Sequence, residues 1–271
     1  MHRDVPIWLK CVCLTFTILA SAKGQMKPQI HADNSLHSYV DVVPVDLAHT
    51  AQLPAAVVTV MGKLPAGSVL VTNKLAKPVT AILGIWTYVD DKGSSQNRTF
   101  ACDGYNLSPV QTIIRSQGAV LLSPTGCTSD PLFPQLESGN LLGGPFATTD
   151  EQNGPEATAT TVGVTIDAVI CSDGEILGRD TQQYYRRIQE RFSVLTAFLS
   201  DVDVAERAGT PLAVAVDNIR RSTEGQRDPV LGGKGSWARQ IQGSPNLQGT
   251  IVHLRTYTAP PVFYHTGVSD Q

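Results

Sequence analysis

The chain has 271 residues, a net charge of −3 and only 17% charged residues. This balance gives no electrostatic basis for binding nucleic acid or acidic lipid. Hydrophobic residues make up 42%, which suffices for the core of one large domain or two small ones. No Cys-x-x-Cys pair and no cofactor-binding motif is present, so the sequence predicts neither a metal site nor a bound cofactor.

The N-terminal region has the three parts of a secretory signal peptide. Arg3 and Lys10 precede and flank an apolar run at residues 11–20, and Ala20-Ser21-Ala22 is a small-x-small cleavage pattern. The run is too short to span a bilayer, which requires about 20 apolar residues. We therefore favour a cleaved signal peptide at residues 1–22 over an anchor or a buried helix. The protein is expected to be secreted or periplasmic, without a later membrane segment.

Three cysteines follow the predicted cleavage point, namely Cys102, Cys127 and Cys171. An odd number in an oxidising compartment permits one disulfide and one free thiol. The sequence alone leaves the pairing open. We favour Cys102–Cys127, because both residues lie in or just beyond predicted strands, whereas Cys171 ends a strand and can be buried as a small hydrophobic residue.

Residues 23–54 are polar and mixed, which predicts a flexible lead-in. Its histidines, His31, His37 and His49, lack the spacing of a metal-binding motif and are interpreted as solvated. Within the predicted sandwich, residues 124–160 are rich in Gly, Pro, Ser and Thr and predict a long loop with a few apolar clusters.

On both sides of this loop, from residue 55 to residue 171, short apolar runs alternate with turn residues, which predicts β-strands. Val79–Asp90 is the longest run and is apolar on both faces, which indicates a strand covered on both sides. Residues 161–171 alternate most regularly, with one apolar face, and Asp173-Gly174 predicts a hairpin turn after them. The apolar face of the 161–171 run comprises Val162, Val164, Ile166, Ala168 and Ile170. The other predicted strands are 55–60, 67–72, 97–102, 110–115 and 119–122, and their spacing predicts a β-sandwich.

The following segment carries helical signals. Asp180 has the pattern of an N-cap, and apolar residues recur behind it at helical intervals. We predict helices at 181–207 and 211–223, separated by Gly209. The first helix is expected to pack across the outer face of strand Val79–Asp90. There it would cover the large side chains of Ile82, Trp86 and Tyr88. Residues 232–235 are predicted as a flexible loop, 250–258 as a strand or short helix, and 259–271 as an extended tail.

The motifs considered for chemistry all have plainer interpretations, so no catalytic residue is assigned. A serine hydrolase would need a Gly-x-Ser-x-Gly elbow, which is absent, and His253 is interpreted as a surface residue. Gly232-Gly-Lys-Gly-Ser236 resembles a phosphate loop but lacks its spacing. The Asp90-Asp91-Lys-Gly segment fits a hairpin turn better than a calcium loop.

Asn73, residues 77–81 and Trp86 resemble the opening hairpin of immunoglobulin-like domains in bacterial exported proteins. Residues 169–174, with Gly178 and a helix after them, are similar to a segment of uncharacterised secreted bacterial proteins. This resemblance implies an immunoglobulin-like sandwich in an exported protein, and it implies no catalytic residue.

The predicted protein is α+β and mainly β, with an immunoglobulin-like antiparallel β-sandwich and a C-terminal helical pair packed on it. Its predicted parts are a signal peptide at 1–22, a lead-in at 23–54, the sandwich at 55–179, a helical segment at 180–258 and a tail at 259–271. The expected role is non-enzymatic binding, adhesion or assembly, with an envelope protein or an extracellular polymer as the partner. The alternative is an extracytoplasmic hydrolase of such a polymer, with its site between the sandwich and the 124–160 loop.

Overall fold

The computed structural model describes residues 28–106, 111–129, 159–256 and 262–266. The predicted signal peptide therefore lies outside the described residues, as do most of the predicted 124–160 loop and most of the predicted tail. The described residues form two β-sheets with helices on their outer faces and at one end. The expected α+β class is thus confirmed. The expectation of a mainly β protein is wrong, because about 38% of the described residues are helical and 32% are in strands.

The strands of the described residues are β1 (Gln29–Asp33), β2 (Val40–Pro44), β3 (Val69–Asn73), β4 (Val79–Asp90), β5 (Ser95–Asp103), β6 (Ala119–Ser123), β7 (Gly126–Ser129), β8 (Ala159–Cys171), β9 (Glu175–Gly178) and β10 (Tyr264–His265). The α-helices are α1 (Ala55–Val60), α2 (Tyr184–Arg207), α3 (Leu212–Ser222), α4 (Pro229–Gln242) and α5 (Leu247–Arg255). Short 3-10 helices lie at Leu47–Gln52, Met61–Lys63 and Gly104–Asn106.

The two sheets differ in size and pairing. Sheet A has the strand order β10-β9-β8-β4-β5, and β1 adds to it by pairing in parallel with the first part of β8. Strand β4 lies between β5 and β8 and pairs antiparallel with both. Sheet B has the order β2-β3-β6-β7 and is antiparallel throughout. Sheet A is therefore mixed, because β1 and β10 both join it in parallel.

The main core lies between the two sheets. Trp86 and Tyr88 of β4 are among its largest fully buried side chains, and they pack with valines of β2, β3 and β6. A disulfide joins Cys102 on β5 to Cys127 on β7, with Cα atoms 6.2 Å apart, and so links sheet A to sheet B. This is the pairing favoured from the sequence. Cys171 is buried as a free thiol.

Helix α2 covers the outer face of sheet A, as expected, but through other residues of β4. Ile82, Trp86 and Tyr88 face the core between the sheets, while Ala81 and Leu83 pack in one cluster with Ile188 of α2. Alternate residues of a strand point to opposite faces, so only one of the two apolar sets could meet the helix. The expected contact was therefore assigned to the wrong face of the strand.

The predicted alternation of β8 is also interrupted. Leu83 pairs with Ala168 and Gly84 pairs with Ile166, so Asp167 is an extra residue in β8. Such a β-bulge reverses which residues face each side. As a result Ile166 lies in the core between the sheets, while Ala168 faces α2. The predicted single apolar face of this strand is wrong beyond the bulge.

Part of the predicted flexible lead-in is folded. Residues 28–54 include β1, β2 and a 3-10 helix, and Val40 and Val42 are buried in the core between the sheets. The apolar residues of β2 are separated by Asp41 and followed by Pro44, which made the segment look polar and irregular. Pairing with β3 supplies the hydrogen bonds that this short strand needs.

Residues 55–60, predicted as a strand, form the short helix α1. Val57 and Val60 are buried against the outer face of sheet B, one helical turn apart. Pro54 precedes the first helical residue and is compatible with a helix start. A short apolar run has no periodicity that separates a strand from a helix, so the pattern alone could not decide between them.

The helical part extends further than the sequence indicated. Helices α2 and α3 match the two predicted helices, and Gly209 between them has a positive φ of 80°. The Asp180 carboxylate accepts hydrogen bonds from the backbone N–H groups of Tyr184 and Tyr185 in the first turn of α2. The predicted N-cap position is nevertheless wrong, because the N-cap is Gln183, which has a positive φ of 51° and lies three residues after Asp180. The predicted loop at 232–235 lies inside α4, and the 250–258 segment is mainly helical as α5. In the predicted strand 110–115, Ile114 makes a single bridge to Val79.

Candidate binding cleft

A cleft of about 700 Å³ lies between sheet A and the helices, within the size range of small-ligand sites. Its floor comes from β4 and β5, including Leu83 and Ala101. Helices α2 and α4 provide the two walls, and Asp167 and Gln182 also contribute to the lining. The α2 wall includes Tyr184, Arg187, Glu190 and Arg191, and the α4 wall includes Gly233, Ser236, Trp237 and Gln240.

The two helical walls approach each other because α4 has a glycine at the contact. A Cβ atom at Gly233 would lie 2.7 Å from Cγ1 of Val194 on α2, which is closer than two carbon atoms can approach. Glycine is therefore needed for close packing here, which gives the Gly-rich segment a structural role. Its Lys234 donates to the Asp201 carboxylate at 2.7 Å, and the segment lies within a helix rather than in a phosphate loop.

A buried carboxylate fixes the α2 wall to the sheet. Asp103, the last residue of β5, is fully buried, and its Oδ2 accepts hydrogen bonds from Arg191 Nη2 at 2.5 Å and from the Tyr184 hydroxyl at 2.6 Å. Its Oδ1 accepts from the backbone N–H of Tyr105 at 2.6 Å. Burial, together with the charge of Asp103, raises the pKa of Tyr184, so this hydroxyl stays protonated and donates. Two cleft-lining side chains are thus held in place.

The positive charges of the cleft stack on an aromatic ring. The guanidinium carbon of Arg187 lies 5.9 Å from the ring centre of Tyr184, and that of Arg191 lies 5.7 Å from the same ring. Both distances fall within the range of cation–π contacts. Among the described residues, no carboxylate lies within ion-pair distance of Arg187. Its guanidinium can therefore offer hydrogen bonds to a ligand.

The negative charges of the cleft are Asp167 and Glu190. Oδ2 of Asp167 accepts from the backbone N–H of Thr181 at 2.7 Å and from the Thr181 hydroxyl at 2.9 Å. The bulge that directs this side chain outward therefore also orders the turn before α2. Glu190 is exposed on α2.

The histidines noted in the sequence lie away from this cleft. His31 and His49 line a smaller cavity of about 470 Å³ beside β1 and β2. Nδ1 of His49 lies 2.7 Å from Asp46 Oδ1, which also accepts the N–H groups of Ala48 and His49 itself. Asp46 thus caps a 3-10 helix, and His49 belongs to that cap. His253 lies exposed on α5.

A second group of potential metal ligands is Cys171, Asp173 and Glu175. Lys77 occupies this group, since its ammonium donates to Asp173 Oδ2 at 2.7 Å and forms an ion pair with Glu175. Those contacts lower the pKa of both carboxyl groups, and burial raises the pKa of the Cys171 thiol to about 11. The two carboxylates are thus paired with an ammonium group in this structure. Because Tyr264 donates to Asp173, the cluster attaches β10 to the sheet.

The sequence analysis did not find the cleft. Its residues come from β4, β5, β8, α2 and α4, and no local spacing connects them. Arg187 and Arg191 lie outside the apolar stripe of the predicted helix, and Asp103 directly follows a predicted strand. The two arginines are four positions apart, which places them on one helix face, and this was the one available signal.

The fold and the cleft define an α+β protein with two packed sheets and a lined groove between one sheet and its helices. Comparison with known proteins gives no family model that matches the chain, no similar curated protein and no similar solved structure. None of the helices in the described ranges combines the length and hydrophobicity needed to cross a membrane.

Proposed function

We propose that the protein is an exported, non-enzymatic binding module of the cell envelope or extracellular space, and that its ligand lies in the cleft between sheet A, α2 and α4. The observation that supports this most is the anchoring of Arg191 and Tyr184 by the buried Asp103. Side chains fixed before binding lose little conformational freedom when a ligand arrives. The proposed location outside the cytoplasm rests on the predicted signal peptide. The immunoglobulin-like character of the sandwich stays a prediction.

The lining favours binding over catalysis. Among the described residues no histidine lines the cleft, and one of its two carboxylates, Asp167, is engaged by Thr181. The other lining groups are aromatic, amide and guanidinium side chains, which orient a ligand without exchanging protons at neutral pH. A preformed site with a few fixed polar groups is typical of ligand recognition.

An extracytoplasmic hydrolase is the second candidate. The observation that favours it is the presence of Asp167 and Glu190 in one cleft, because polysaccharide hydrolysis commonly uses two carboxyl groups. The hydrolase site would then lie between sheet A and the helices. The sequence-based expectation was a different place, between the sandwich and the 124–160 loop.

Co-sedimentation with insoluble polymers tests both candidates. The exported protein is mixed with purified peptidoglycan or extracellular polysaccharide of the producing cell, and the bound fraction is measured. We expect saturable binding by the native protein and a clear loss with Arg187→Ala. Leu47→Ala is the matched control, because Leu47 is 84% exposed and does not line the cleft. Release of soluble reducing ends would favour the hydrolase, and equal loss in both variants would contradict a cleft site.

A further inference from the structure

We infer that the ligand of the cleft is a neutral saccharide segment that stacks on Trp237. This inference rests on the proposed function and adds the chemical class of the ligand to it. It depends on three properties of the lining, namely a partly exposed indole ring, a mixture of donors and acceptors on planar side chains, and the presence of charges of both signs.

Trp237 provides an aromatic surface at the α4 wall. Its side chain is half-buried and lines the cleft. Part of the side chain packs against the apolar cluster of the helices, which holds the ring in place, and part of it lines the cleft. The face of an aromatic ring carries partial negative charge. It therefore attracts the weakly positive C–H groups on the apolar face of a sugar ring.

The polar side chains around the ring suit hydroxyl groups. Gln182 and Gln240 offer amide donors and acceptors, Arg187 offers donors and Glu190 offers acceptors. A sugar hydroxyl both donates and accepts one hydrogen bond, so it can use both kinds of partner on adjacent side chains. A wholly apolar ligand would leave these groups desolvated and unpaired, at a cost in free energy.

The charges of the lining argue against a strongly ionic ligand. The lining contains two guanidinium groups, those of Arg187 and Arg191, and two carboxylates, those of Asp167 and Glu190. The charge of Arg191 is paired with the buried Asp103, which leaves Arg187 as the positive charge of the lining beside the two carboxylates. A polyanion would therefore meet an excess of negative charge, and a polycation would meet the Arg187 guanidinium. A neutral oligosaccharide meets neither obstacle.

Tryptophan fluorescence gives a direct test, because the chain contains three tryptophans in distinct places. Trp8 lies in the predicted signal peptide, and Trp86 is only 1% exposed within the core. A ligand-dependent change in the exported protein therefore reports on Trp237. Neutral oligosaccharides, acidic oligosaccharides and short peptides are titrated in parallel, and calorimetry repeats each titration with Trp237→Ala and Trp237→Phe.

We expect a saturable signal with a neutral oligosaccharide, an affinity loss of about tenfold or more in Trp237→Ala, and most of the affinity retained in Trp237→Phe. Aromatic contacts of this kind are often worth a factor of ten in affinity, or about 1.4 kcal/mol. Neutral-sugar binding that is unchanged in Trp237→Ala would overturn the inference. Trp237-dependent binding of acidic sugars or peptides alone would also overturn it, while leaving the proposed function intact. If no ligand changes the fluorescence, and Arg187→Ala binds the insoluble polymer as well as the native protein does, both the inference and the proposed function would be overturned.

Discussion

The carboxylate of Asp103 at the end of β5 lies 2.5 Å from the guanidinium of Arg191 on α2. The two residues are separated by 88 positions in the chain, and the contact connects the sheet to the helical part. Asp103 is fully buried, whereas the Arg191 side chain is 32% exposed. Asp103 is therefore held in the protein interior, while Arg191 reaches the cleft lining. Their contact joins the α2 wall to sheet A.

Replacing Asp103 with asparagine should destabilise the protein and disorder the cleft wall. The substitution leaves the Arg191 guanidinium without its counter-charge and weakens the hydrogen bond from Tyr184. Hydrogen bonds to charged groups contribute about 1.5–3 kcal/mol, so we expect a loss of about 2–3 kcal/mol in the free energy of unfolding. Urea denaturation measures this loss.

The matched control for that experiment is Asp41→Asn. Its carboxylate also lies near a cationic side chain, with Oδ1 3.6 Å from Lys74 Nζ, but both side chains are more than 40% exposed. Exposed ion pairs contribute about 0–1 kcal/mol, so this variant should unfold almost as the native protein does. If both variants lose the same free energy of unfolding, the claim that the buried Asp103 contributes more than an exposed carboxylate would be contradicted.

Gly232 and Gly233 should respond in opposite ways to alanine. Gly232→Ala places its Cβ in open space, with the nearest atom 3.7 Å away, and should stabilise α4 by about 0.5–1 kcal/mol through helix propensity. Gly233→Ala brings Cβ against Val194, and overpacking typically costs about 1–3 kcal/mol. We expect a lower Tm for the second variant, and partial recovery when Val194→Ala is added. A stabilising Gly233→Ala would show that the two helices do not pack as closely as described.

The disulfide should contribute substantially to stability, because it joins two strands in different sheets. It closes a loop with a sequence separation of 25, for which the chain-entropy estimate is about 3–4 kcal/mol. We expect Cys102→Ala/Cys127→Ala to lower the free energy of unfolding by this amount. Peptide mapping without reductant should find these two residues linked and Cys171 free, whereas a link to Cys171 would contradict the structure.

The cluster around Lys77 should make stability depend on pH in the acid range. Hydrogen bonds from Lys77 lower the pKa of Asp173 and of Glu175 from their ordinary values of 3.8 and 4.5. A lowered folded-state pKa stabilises the protein above the ordinary value, and this stabilisation is lost as the pH falls below it. Thermal unfolding between about pH 5 and 2 should therefore show a smaller decrease of Tm in Lys77→Met than in the native protein.

Lys74→Met is the control for the pH experiment. Lys74 also contacts a carboxylate, with Nζ 3.6 Å from Asp41 Oδ1, but both side chains are more than 40% exposed. Its removal should leave the acid dependence of Tm unchanged. Parallel pH profiles for the native protein and for Lys77→Met would show that the cluster does not contribute.

The strands bounded by clear turn residues were among the most predictable elements, and the reason lies in their turns. Val79–Asp90 has the bounds expected from its apolar run, and the turns at Asp90 and at Asp173-Gly174 lie between antiparallel strands as predicted. Turn residues restrict the backbone locally, so a short stretch of sequence carries the information.

The side of the sheet to which the residues of those strands point, by contrast, could not be predicted from the sequence. The bulge at Asp167 changes the side to which later residues of β8 point, and the apolar pattern continues through it without a gap. The same limit applies to Gly233, where a residue that usually favours loops lies in a helix because a second helix passes beside it. Tertiary contacts decide both cases, and the cleft depends on both.

Hydrogen–deuterium exchange tests the central claim most directly, which is that the ligand occupies the cleft between sheet A, α2 and α4. The exported protein is compared with and without soluble oligosaccharides prepared from the extracellular polysaccharide of the producing cell. We predict slower exchange at residues 184–194 and 229–240, which carry the two helical walls, and unchanged exchange at residues 29–52 around the smaller cavity. Protection confined to residues 29–52, or exchange unchanged everywhere at saturating oligosaccharide, would contradict the account.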